Sequence, residues 1–362
     1  MPSLLDELVS LARWAPSGDN TQPWRFALHP PDRLTVFGHD TRHDCVYDLR
    51  GEATQLSLGA LLCTFEIAAT SLGHRVTWQR QAAAPENMPR FDLQLHPAPG
   101  VQADPLADSI RRRSVQRRPM HTTPLLQEQM VRLEAAAGPG FRLIWLTSAQ
   151  QRWAAARLLF ANAGLRLSLP EAYPVHKRII QWNSRESEDR IPDQALGASW
   201  ATLQLMRFGL ASWKRVNFFN RWLAGTWIPR IELDLIPAMR CAAHYLLVAD
   251  HEPTGIDDFV AAGRAVQRVW LTATAEGLWQ QPEMTPLIFA RYARRNIKFT
   301  ADNGLAQQAS QLAAALQGLA GDSAPQAVWM GRLGSGPTPV ARSTRLSLSA
   351  LAVDQKNQVP TS

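Results

Sequence analysis

The sequence predicts an α+β protein made of two related halves. Apolar residues at helical spacing alternate with short apolar strand segments along most of the 362 residues. Two long apolar helices resemble each other, because each has glycine at both ends of an interval of the same length, Gly59–Gly73 and Gly263–Gly277. Glycine lets two helices approach closely, since it has no side chain. We therefore predict a duplicated α+β unit in which these two helices correspond.

The composition is that of a globular protein. The chain is 46% hydrophobic, 8% aromatic and 19% charged, which excludes disorder over most of its length and leaves enough apolar residues for a large core. The longest apolar run, residues 56–72, contains Glu66, so we predict no membrane-spanning helix. Asp6 and Glu7 stand where a signal peptide has basic residues, so we predict a cytoplasmic protein without a secretion signal.

The cysteine spacing and the arginine content limit the classes of function that fit this sequence. Cys45, Cys63 and Cys241 form no CxxC pair, which indicates a reducing compartment and excludes a disulfide framework or a cysteine-based zinc site. The net charge is +7, and most of the 38 basic residues are arginines. Arginine binds phosphate with two parallel hydrogen bonds, although genomic base composition alone also raises arginine content. No nucleic-acid-binding module accompanies the charge, so we predict no nucleic-acid partner.

Residues 1–100 form the first predicted half. Its predicted elements are a helix, two strands, a helix and two strands, at 4–14, 24–28, 34–37, 51–72, 76–79 and 91–95. Pro16 and Gly18 end the first helix, the Pro30-Pro31 turn joins the first two strands, and Gly73 caps the second helix. The proline-rich segment 97–105 predicts a linker.

Residues 104–362 form the second predicted half. Its predicted elements are a basic helix start at 108–118 and then helix, strand, helix, strand, helix and helix at 125–137, 141–147, 149–169, 241–249, 256–276 and 305–319. The irregular, tryptophan-rich segment of about 150–240 predicts a helical lid insertion, and about 325–362 predicts a C-terminal arm.

The segment Ala15–Trp24 (APSGDNTQPW) is the most informative motif. A helix end is followed by a turn of short polar residues, which exposes backbone N–H groups that suit a heteroaromatic edge or a phosphate. This segment resembles the APSxxNxQPW signature of the FMN-dependent nitroreductase family. The resemblance implies that Pro16, Ser17, Asn20 and Gln22 border the flavin ring system.

A second segment, Ile110–Arg117 (IRRRSVQR), resembles the RRSxR phosphate motif of the same family. The resemblance implies that Arg112, Arg113 and Ser114 hold the FMN phosphate, which needs charge-assisted donors. The family has a cation where this chain has Gln116. Either Arg117 takes that role with a shift of one residue, or the phosphate is held more weakly. Without the resemblance, such a run of charges is usually a solvated basic helix face.

Two further segments resemble the family. Gly277–Pro282 matches a glycine at a helix end followed by a proline, after which a backbone N–H faces flavin N5. The resemblance implies a site that includes Pro282 and an N–H of Glu283, Met284 or Thr285, of which we favour Met284. The segments Arg332–Gly336 and Arg342–Arg345 resemble the closing basic segment of the family, which implies that Arg342 and Arg345 also meet the phosphate.

The two halves carry complementary parts of this motif set. The first half has the APSGDNTQPW turn without RRSxR, and the second has RRRSVQR but only Gly138-Pro139-Gly140 where the turn belongs. Ordinary nitroreductases hold FMN between two subunits, so the resemblance implies a nitroreductase-like single-chain pseudo-dimer with one FMN. This chain is similar to the fused, two-half branch of the family that includes the Acg-like nitroreductases. Such a protein is a functional monomer by internal duplication.

The resemblance implies an FMN-dependent oxidoreductase. NAD(P)H would deliver hydride to flavin N5, and a small or hydrophobic acceptor of the nitro or quinone type would then take the electrons. The flavin does this chemistry, so we assign no catalytic side chain. Two alternatives stay open: a flavin-binding or storage protein without turnover, and a peripheral membrane flavoprotein that acts on a lipid-soluble substrate.

Two remaining features are weighed on chemistry alone. His39, His43, Asp44 and Cys45 have metal-ligand spacing but lie in a polar loop without a further convincing ligand, so we predict no metal site. The segment 194–231 has no acidic residue and is rich in tryptophan, phenylalanine and arginine. It predicts a lid over the flavin, a membrane-surface contact through residues 200–230, or ordinary helix packing.

Overall fold

Two antiparallel sheets lie on either side of a pair of central helices in the computed structural model, which describes residues 3–222 and 227–353. The predicted α+β mixture is confirmed. The first-half elements are α1 (Leu4–Ala12), β1 (Trp24–His29), β2 (Arg33–Gly38), α2 (Glu52–Ser71), β3 (His74–Arg80) and β4 (Arg90–Pro97). Ser3 and Asp6 form a capping box that starts α1, and β1, β2, β4 and β3 pair in that order.

The second-half elements begin after the linker. They are α3 (Ser109–Arg112), α4 (Gln127–Ala137), β5 (Phe141–Leu146), α5 (Ala149–Ser168), α6 (Tyr173–Ile179), β6 (Ile180–Gln181), β7 (Glu186–Ser187), β8 (Ile191–Pro192), α7 (Trp200–Gly209), α8 (Trp213–Trp222), α9 (Trp227–Pro229), α10 (Ile236–Met239), β9 (Ala243–Ala249), α11 (Ile256–Ala275), β10 (Trp279–Pro282), α12 (Thr285–Arg294), α13 (Asn303–Ala320), β11 (Ala327–Gly334), β12 (Arg342–Ser343) and α14 (Leu348–Leu351). Here β5, β9, β11 and β10 pair in that order.

The two large sheets have the same topology. In each, the first two strands in the chain pair directly, a long helix follows, and the last two strands pair so that the fourth lies beside the second. The halves differ in their connections. A short turn joins β1 to β2, whereas residues 147–242 join β5 to β9, and α12 and α13 separate β10 from β11.

The central helices α2 and α11 cross at the two glycines that begin the repeated intervals. A β-carbon placed on Gly59 would lie 2.0 Å from the carbonyl oxygen of Val260, and one placed on Gly263 would lie 2.0 Å from that of Leu56. The contact is reciprocal, because each glycine meets the residue three positions before the other. The close approach expected from the glycines is therefore present.

Helix α2 combines length and apolar character with burial. It is the one helix among the described residues that meets the length and hydropathy criteria for a membrane span, yet 83% of the qualifying window is buried inside the protein. Its single interior charge, Glu66, accepts hydrogen bonds from Trp78 Nε1 at 2.8 Å and from Arg264 Nη2 at 3.0 Å. A core helix explains the composition.

Several elements differ from the sequence predictions. Helix α3 ends at Arg112, so the predicted helix start at 108–118 is mostly extended chain. Strands β10 and β11 and helix α12 were not predicted. Strand β11 is buried throughout and lies between β10 and β9, so the extended C-terminal arm begins after Gly334, beyond the expected boundary near 325. The arm returns to the first half, where Val353 N donates to Phe26 O at 2.9 Å.

Candidate functional site

The four segments that carry the predicted site residues meet at one place. Val115 forms a parallel bridge with Gln280 of β10, and Gln116 N donates to Gln280 O at 3.0 Å. Arg342 Nη2 donates to the carbonyl oxygen of Arg111 at 3.0 Å, and Arg345 Nη2 to that of Ala15 at 2.9 Å. The structure thus joins the 14–22 turn, the 111–117 segment, the end of β10 and the arm.

The turn after α1 has an unusual backbone. Asp19, Asn20 and Gln22 have φ of 51°, 63° and 48°, a region that residues with side chains seldom occupy. Ser17 Oγ accepts a hydrogen bond from Gln22 N at 3.0 Å, which closes the turn, and Pro16 lies half-buried beside it. Such strain persists only where surrounding contacts enforce it, and it is concentrated at functional sites.

The side chains of Asn20 and Gln22 fasten other segments to this turn. Asn20 Nδ2 donates to Glu188 O at 3.0 Å, and Gln22 Nε2 donates to the same oxygen at 2.7 Å. Gln22 Oε1 accepts from Leu346 N at 2.9 Å, and Asn20 Oδ1 accepts from Arg345 Nη1 at 3.0 Å. Both amide groups are therefore engaged with protein atoms, and their assignment to the flavin edge stays a prediction.

Four arginines surround Trp14; Arg13, Arg113, Arg342 and Arg345 are named here the arginine cluster. Arg113 Nη2 donates to Trp14 O at 2.9 Å, and the guanidinium groups of Arg342 and Arg345 lie 5.0 and 5.6 Å from the centre of the Trp14 ring. Among the described residues, none of the four lies within the 4.0 Å salt-bridge distance of a carboxylate. The Nε atoms of Arg13, Arg113 and Arg342 are buried and have no hydrogen-bond partner there.

Burial and mutual repulsion act on these cations. Burial, with the charges of Arg342 and Arg13, lowers the pKa of Arg345 to about 9. Burial and the neighbouring arginines also lower the pKa of Arg113, and burial lowers that of Arg342. The guanidinium group of Arg345 donates to protein oxygens, and Glu188 and Glu186 partly oppose the charges of Arg13 and Arg342. The cluster has no salt-bridged carboxylate among the described residues, and a bound dianion would neutralise its charge. The chemistry of the cluster suits a phosphate group.

The other residues of the RRRSVQR segment have separate surroundings. Arg112 is exposed at the end of α3, and Ser114 is half-buried. Gln116, at the position of the missing cation, is buried and donates from Nε2 to Pro337 O at 2.9 Å. Arg117 donates to Ala195 O at 3.3 Å, and burial lowers its pKa to about 10 against the opposing charge of Asp19. Arg117 therefore contacts Ala195, and its charge is influenced by that of Asp19.

The loop after β10 distinguishes the three N–H groups proposed to face the flavin. Glu283 N donates to Met330 O at 2.8 Å, so it is engaged within the protein. The N–H groups of Met284 and Thr285 start helix α12 and have no acceptor among the described residues. Unpaired N–H groups at a helix start carry the positive end of the helix dipole. Of the three, only Met284 and Thr285 offer free donors, and Pro282 places them at the end of β10.

The carboxylate of Glu283 belongs to a buried ionic group with His244 and Arg332. Its two oxygens lie 2.7 Å from His244 Nδ1 and 3.0 Å from Arg332 Nη1. Burial raises the pKa of Glu283, but its cationic partners outweigh that effect and lower it overall. Burial lowers the pKa of His244, but the Glu283 charge and hydrogen bonds raise it overall to about 10. His244 is therefore protonated near neutral pH.

This ionic group predicts a stability that falls at alkaline pH. The folded-state pKa of His244 is raised, so its stabilisation is complete below its ordinary value of 6.5 and is lost as pH rises through about 10. Between these limits the free energy of unfolding should fall by up to about 1.4 kcal/mol per pH unit. Urea unfolding from pH 6 to pH 10 measures this slope.

Two histidine variants test whether His244 causes this change of the free energy of unfolding with pH. His251 is exposed and pairs with Asp258, so His251→Gln should keep the wild-type slope. His244→Gln should be less stable at pH 7 and should show a flatter profile. An unchanged slope in His244→Gln would assign the alkaline loss to other groups.

A polar group near Asp19 comes from segments that the sequence analysis did not single out. Tyr47 Oη lies 2.7 Å from His176 Nε2, and Arg166 pairs with Asp234 at 3.4 Å. Burial raises the pKa of Asp19 against the charges of Arg117, Arg166 and Arg178. Burial and Arg166 lower the pKa of His176 to about 3, so it is neutral and able to accept the Tyr47 proton in a hydrogen bond. The charges of Arg166 and Asp19 therefore connect these residues electrostatically with the strained turn.

In the 39–45 loop, whose residues have the spacing of metal ligands, Asp44 and Cys45 have other surroundings. Asp44 pairs with Arg178 at 2.6 Å, and burial together with the Asp19 charge raises the pKa of Cys45 to about 12. No three His, Cys, Asp or Glu side chains within residues 3–222 and 227–353 are grouped as metal ligands.

Comparison with known proteins gives distant relatives. No protein-family model matches the chain. The uncharacterized protein MT1398 of Mycobacterium tuberculosis (strain CDC 1551 / Oshkosh) is 26% identical over 299 residues, which cover 80% of this chain and 40% of that protein. The chain therefore spans about two fifths of the length of this curated relative.

Two similar solved structures are nitroreductase-like proteins. A nitroreductase-like family protein from Bacillus cereus is 12% identical with a TM-score of 0.35, and the match covers 71% of this chain and 96% of that one. The FMN-dependent nitroreductase NfnB from Mycobacterium smegmatis, in complex with NADPH, is 14% identical with a TM-score of 0.37, covering 69% and 98%. Similarity at this level does not assign an activity to this chain.

Proposed function

We propose that this chain is an FMN-dependent oxidoreductase of the nitroreductase type, with one FMN held between its two halves. The observation that carries the proposal is the arginine cluster. Four guanidinium groups without a salt-bridged carboxylate among the described residues gather where the 14–22 turn, the 111–117 segment and the arm meet, and Arg113 and Arg345 are buried there. These are the segments whose motifs resemble the nitroreductase family, and the phosphate of FMN is the anion that the resemblance implies.

The internal arrangement supports a single-chain pseudo-dimer. The two sheets share one topology, and the reciprocal contact of Gly59 and Gly263 is the pattern expected at a two-fold interface between equivalent helices. Each half contributes a different part of the site, since the turn lies in the first half and β10 and α12 lie in the second. We propose one FMN site for this reason.

The residues present fit this cofactor. Arg113 and Arg342, with Arg112 and Ser114 nearby in the chain, would hold the phosphate, and the free N–H groups of Met284 and Thr285 would donate to the ring system. When bound, FMN supplies hydride transfer from NAD(P)H and passage of the electrons to a nitro or quinone acceptor. The protein binds, orients and shields it. We propose a cytoplasmic setting, which suits the three unpaired cysteines.

Flavin content tests the cofactor assignment. The visible spectrum of the purified protein, with identification of the acid-released cofactor, should give FMN near one equivalent per chain. Arg342→Ala with Ser114→Ala should reduce retained FMN at least about tenfold, because a charge-assisted donor of the arginine cluster and a neighbouring hydroxyl are lost. Ser71→Ala with Arg75→Ala, on exposed positions of α2 and β3, is the matched control. Full retention in the first variant, or no flavin after reconstitution, would contradict the assignment.

Storage of flavin without turnover is the second candidate. The 187–190 segment of the long connection is hydrogen-bonded to Asn20 and Gln22, so this connection approaches the site. A closed cover would block acceptors. Steady-state oxidation of NADH or NADPH with nitro and quinone acceptors distinguishes the two, since turnover excludes storage and bound FMN without turnover excludes the oxidoreductase.

A further inference from the structure

The surface of residues 200–236 exposes large apolar side chains at an unusual density. Most of the large apolar side chains that are exposed in the described chain lie in this short stretch, and Trp200 is 76% exposed. Single exposed apolar residues are ordinary, but several large ones within a short stretch of chain indicate an interaction site. We name these side chains the aromatic patch: Trp200, Phe208, Phe218, Trp227, Ile228, Ile231 and Ile236.

Neighbouring side chains hold the patch at the surface. Phe208 and Phe218 both contact Phe219 edge-on, with ring centres 6.0 and 6.1 Å apart, which ties α7 to α8. Trp227 packs against Phe160 of α5 at 5.5 Å. The aromatic rings are thus packed against each other along one side and exposed on the other, so the exposure is a property of the folded chain.

The charges around the patch have one sign. Residues 194–231 contain no aspartate or glutamate, while Arg207, Lys214 and Arg215 are exposed between the aromatic residues. Arg215 lies 4.3 Å from the centre of the Phe208 ring. The next acidic residue, Glu232, accepts hydrogen bonds from Ser199 and Thr202, and Asp234 pairs with Arg166. Glu232 keeps its negative charge in these hydrogen bonds, but the exposed Arg207, Lys214 and Arg215 outnumber it, so the net charge on this surface is positive.

We propose that the aromatic patch binds an anionic lipid surface. Tryptophan and phenylalanine side chains enter the boundary between head groups and acyl chains, while flanking lysine and arginine are attracted to anionic head groups. A second copy of the chain fits this surface poorly, because symmetric contact would bring Lys214 and Arg215 against like charges. The proposal goes beyond the flavin assignment and does not depend on it, since the surface lies outside the arginine cluster.

Vesicle co-sedimentation of the full chain tests the lipid proposal. The protein should pellet with vesicles of phosphatidylglycerol and phosphatidylcholine, should pellet far less with phosphatidylcholine alone, and should be released by high salt. Trp200→Ser with Phe208→Ser removes apolar insertion, and Lys214→Glu with Arg215→Glu reverses the charge. Each pair should weaken the apparent affinity for anionic vesicles at least about tenfold.

Matched variants elsewhere on the surface make the result specific. Leu126→Ser with Val131→Ser removes exposed apolar side chains of the α4 region, and Arg33→Glu with Arg75→Glu makes the same charge change on the first sheet. Both should bind vesicles like the wild type. Equal loss in patch and control variants, or no binding to anionic vesicles, overturns the proposal. Concentration-dependent self-association that the patch variants abolish overturns it in favour of a second copy. Circular dichroism establishes that each variant is folded, and FMN content reports separately on the flavin site.

Discussion

Gly263→Ala is expected to lower the free energy of unfolding by about 3 kcal/mol or more, although it adds a single methyl group. The new β-carbon would lie 2.0 Å from the carbonyl oxygen of Leu56, 2.8 Å from its carbonyl carbon and 2.9 Å from its α-carbon. These are backbone atoms of α2, so no side-chain rotation relieves the overlap. The two central helices must separate, which opens the interface between the halves.

Reciprocity makes the same prediction at the equivalent position. Gly59→Ala would place a β-carbon 2.0 Å from the carbonyl oxygen of Val260, so it should cost about as much as Gly263→Ala. Gly318→Ala is the control, because Gly318 also lies in a helix but nothing within 4 Å obstructs a β-carbon there. That change should stabilise the protein by about 0.5–1 kcal/mol. Denaturant unfolding measures all three, and tolerance of alanine at both crossing glycines would refute the close helix contact.

The central helices illustrate what the sequence predicts well. Their apolar residues recur at helical spacing over several turns, and Gly73 and Gly277 end them with positive φ of 70° and 73°. The same local signals place β1 to β4 and β9 within a few residues. These features depend on residues that are close together in the chain, so the sequence predicts them without the tertiary structure.

Strand β11 is an example of an element that the sequence pattern does not predict. Its glycines and Arg332 are typical of a basic tail, yet the strand is buried in the middle of a sheet. Arg332 is tolerated there because Glu283, far away in the chain, neutralises it. Gly331 lets the adjacent strand approach closely, because a β-carbon there would lie a tight 3.1 Å from the carbonyl oxygen of Gln281. Both reasons are long-range, so no local pattern reports them.

The candidate site also contains some residues that the sequence predicts and others that it does not. Motif resemblance pointed to Arg113, Arg342 and Arg345, and the structure brings them together around Trp14. The resemblance did not indicate Trp14 or Arg13, although both immediately precede the motif. The contribution of residues 187–190 consists of backbone carbonyl groups, which any residue type provides. Hydrogen bonding to backbone carbonyl groups does not depend on residue type, so the sequence could not predict this part of the site.

Glu283→Gln is expected to lower the free energy of unfolding by about 3–5 kcal/mol. The glutamine is nearly the same size, but it leaves the buried Arg332 without a counter-charge and removes the carboxylate that keeps the buried His244 protonated. Glu128→Gln makes the same chemical change in an exposed pair, where the Glu128 side chain is 82% exposed and lies 3.6 Å from Arg132. It should cost less than about 1 kcal/mol. Urea unfolding of flavin-free protein at pH 7 gives both values.

Measuring the flavin-free protein separates two roles for Glu283, which stands beside the N–H groups proposed for the cofactor. If its carboxylate is structural, Glu283→Gln loses stability whether or not FMN is present, because its partners His244 and Arg332 belong to the protein itself. If the carboxylate acts only on the cofactor, the flavin-free variant keeps wild-type stability and FMN binding alone weakens. The first outcome is expected, since both carboxylate oxygens are engaged by His244 and Arg332 and the side chain is buried. Adding His244→Gln to Glu283→Gln should then cost less stability than His244→Gln costs in the wild type, because the His244–Glu283 pair is already lost in the single variant.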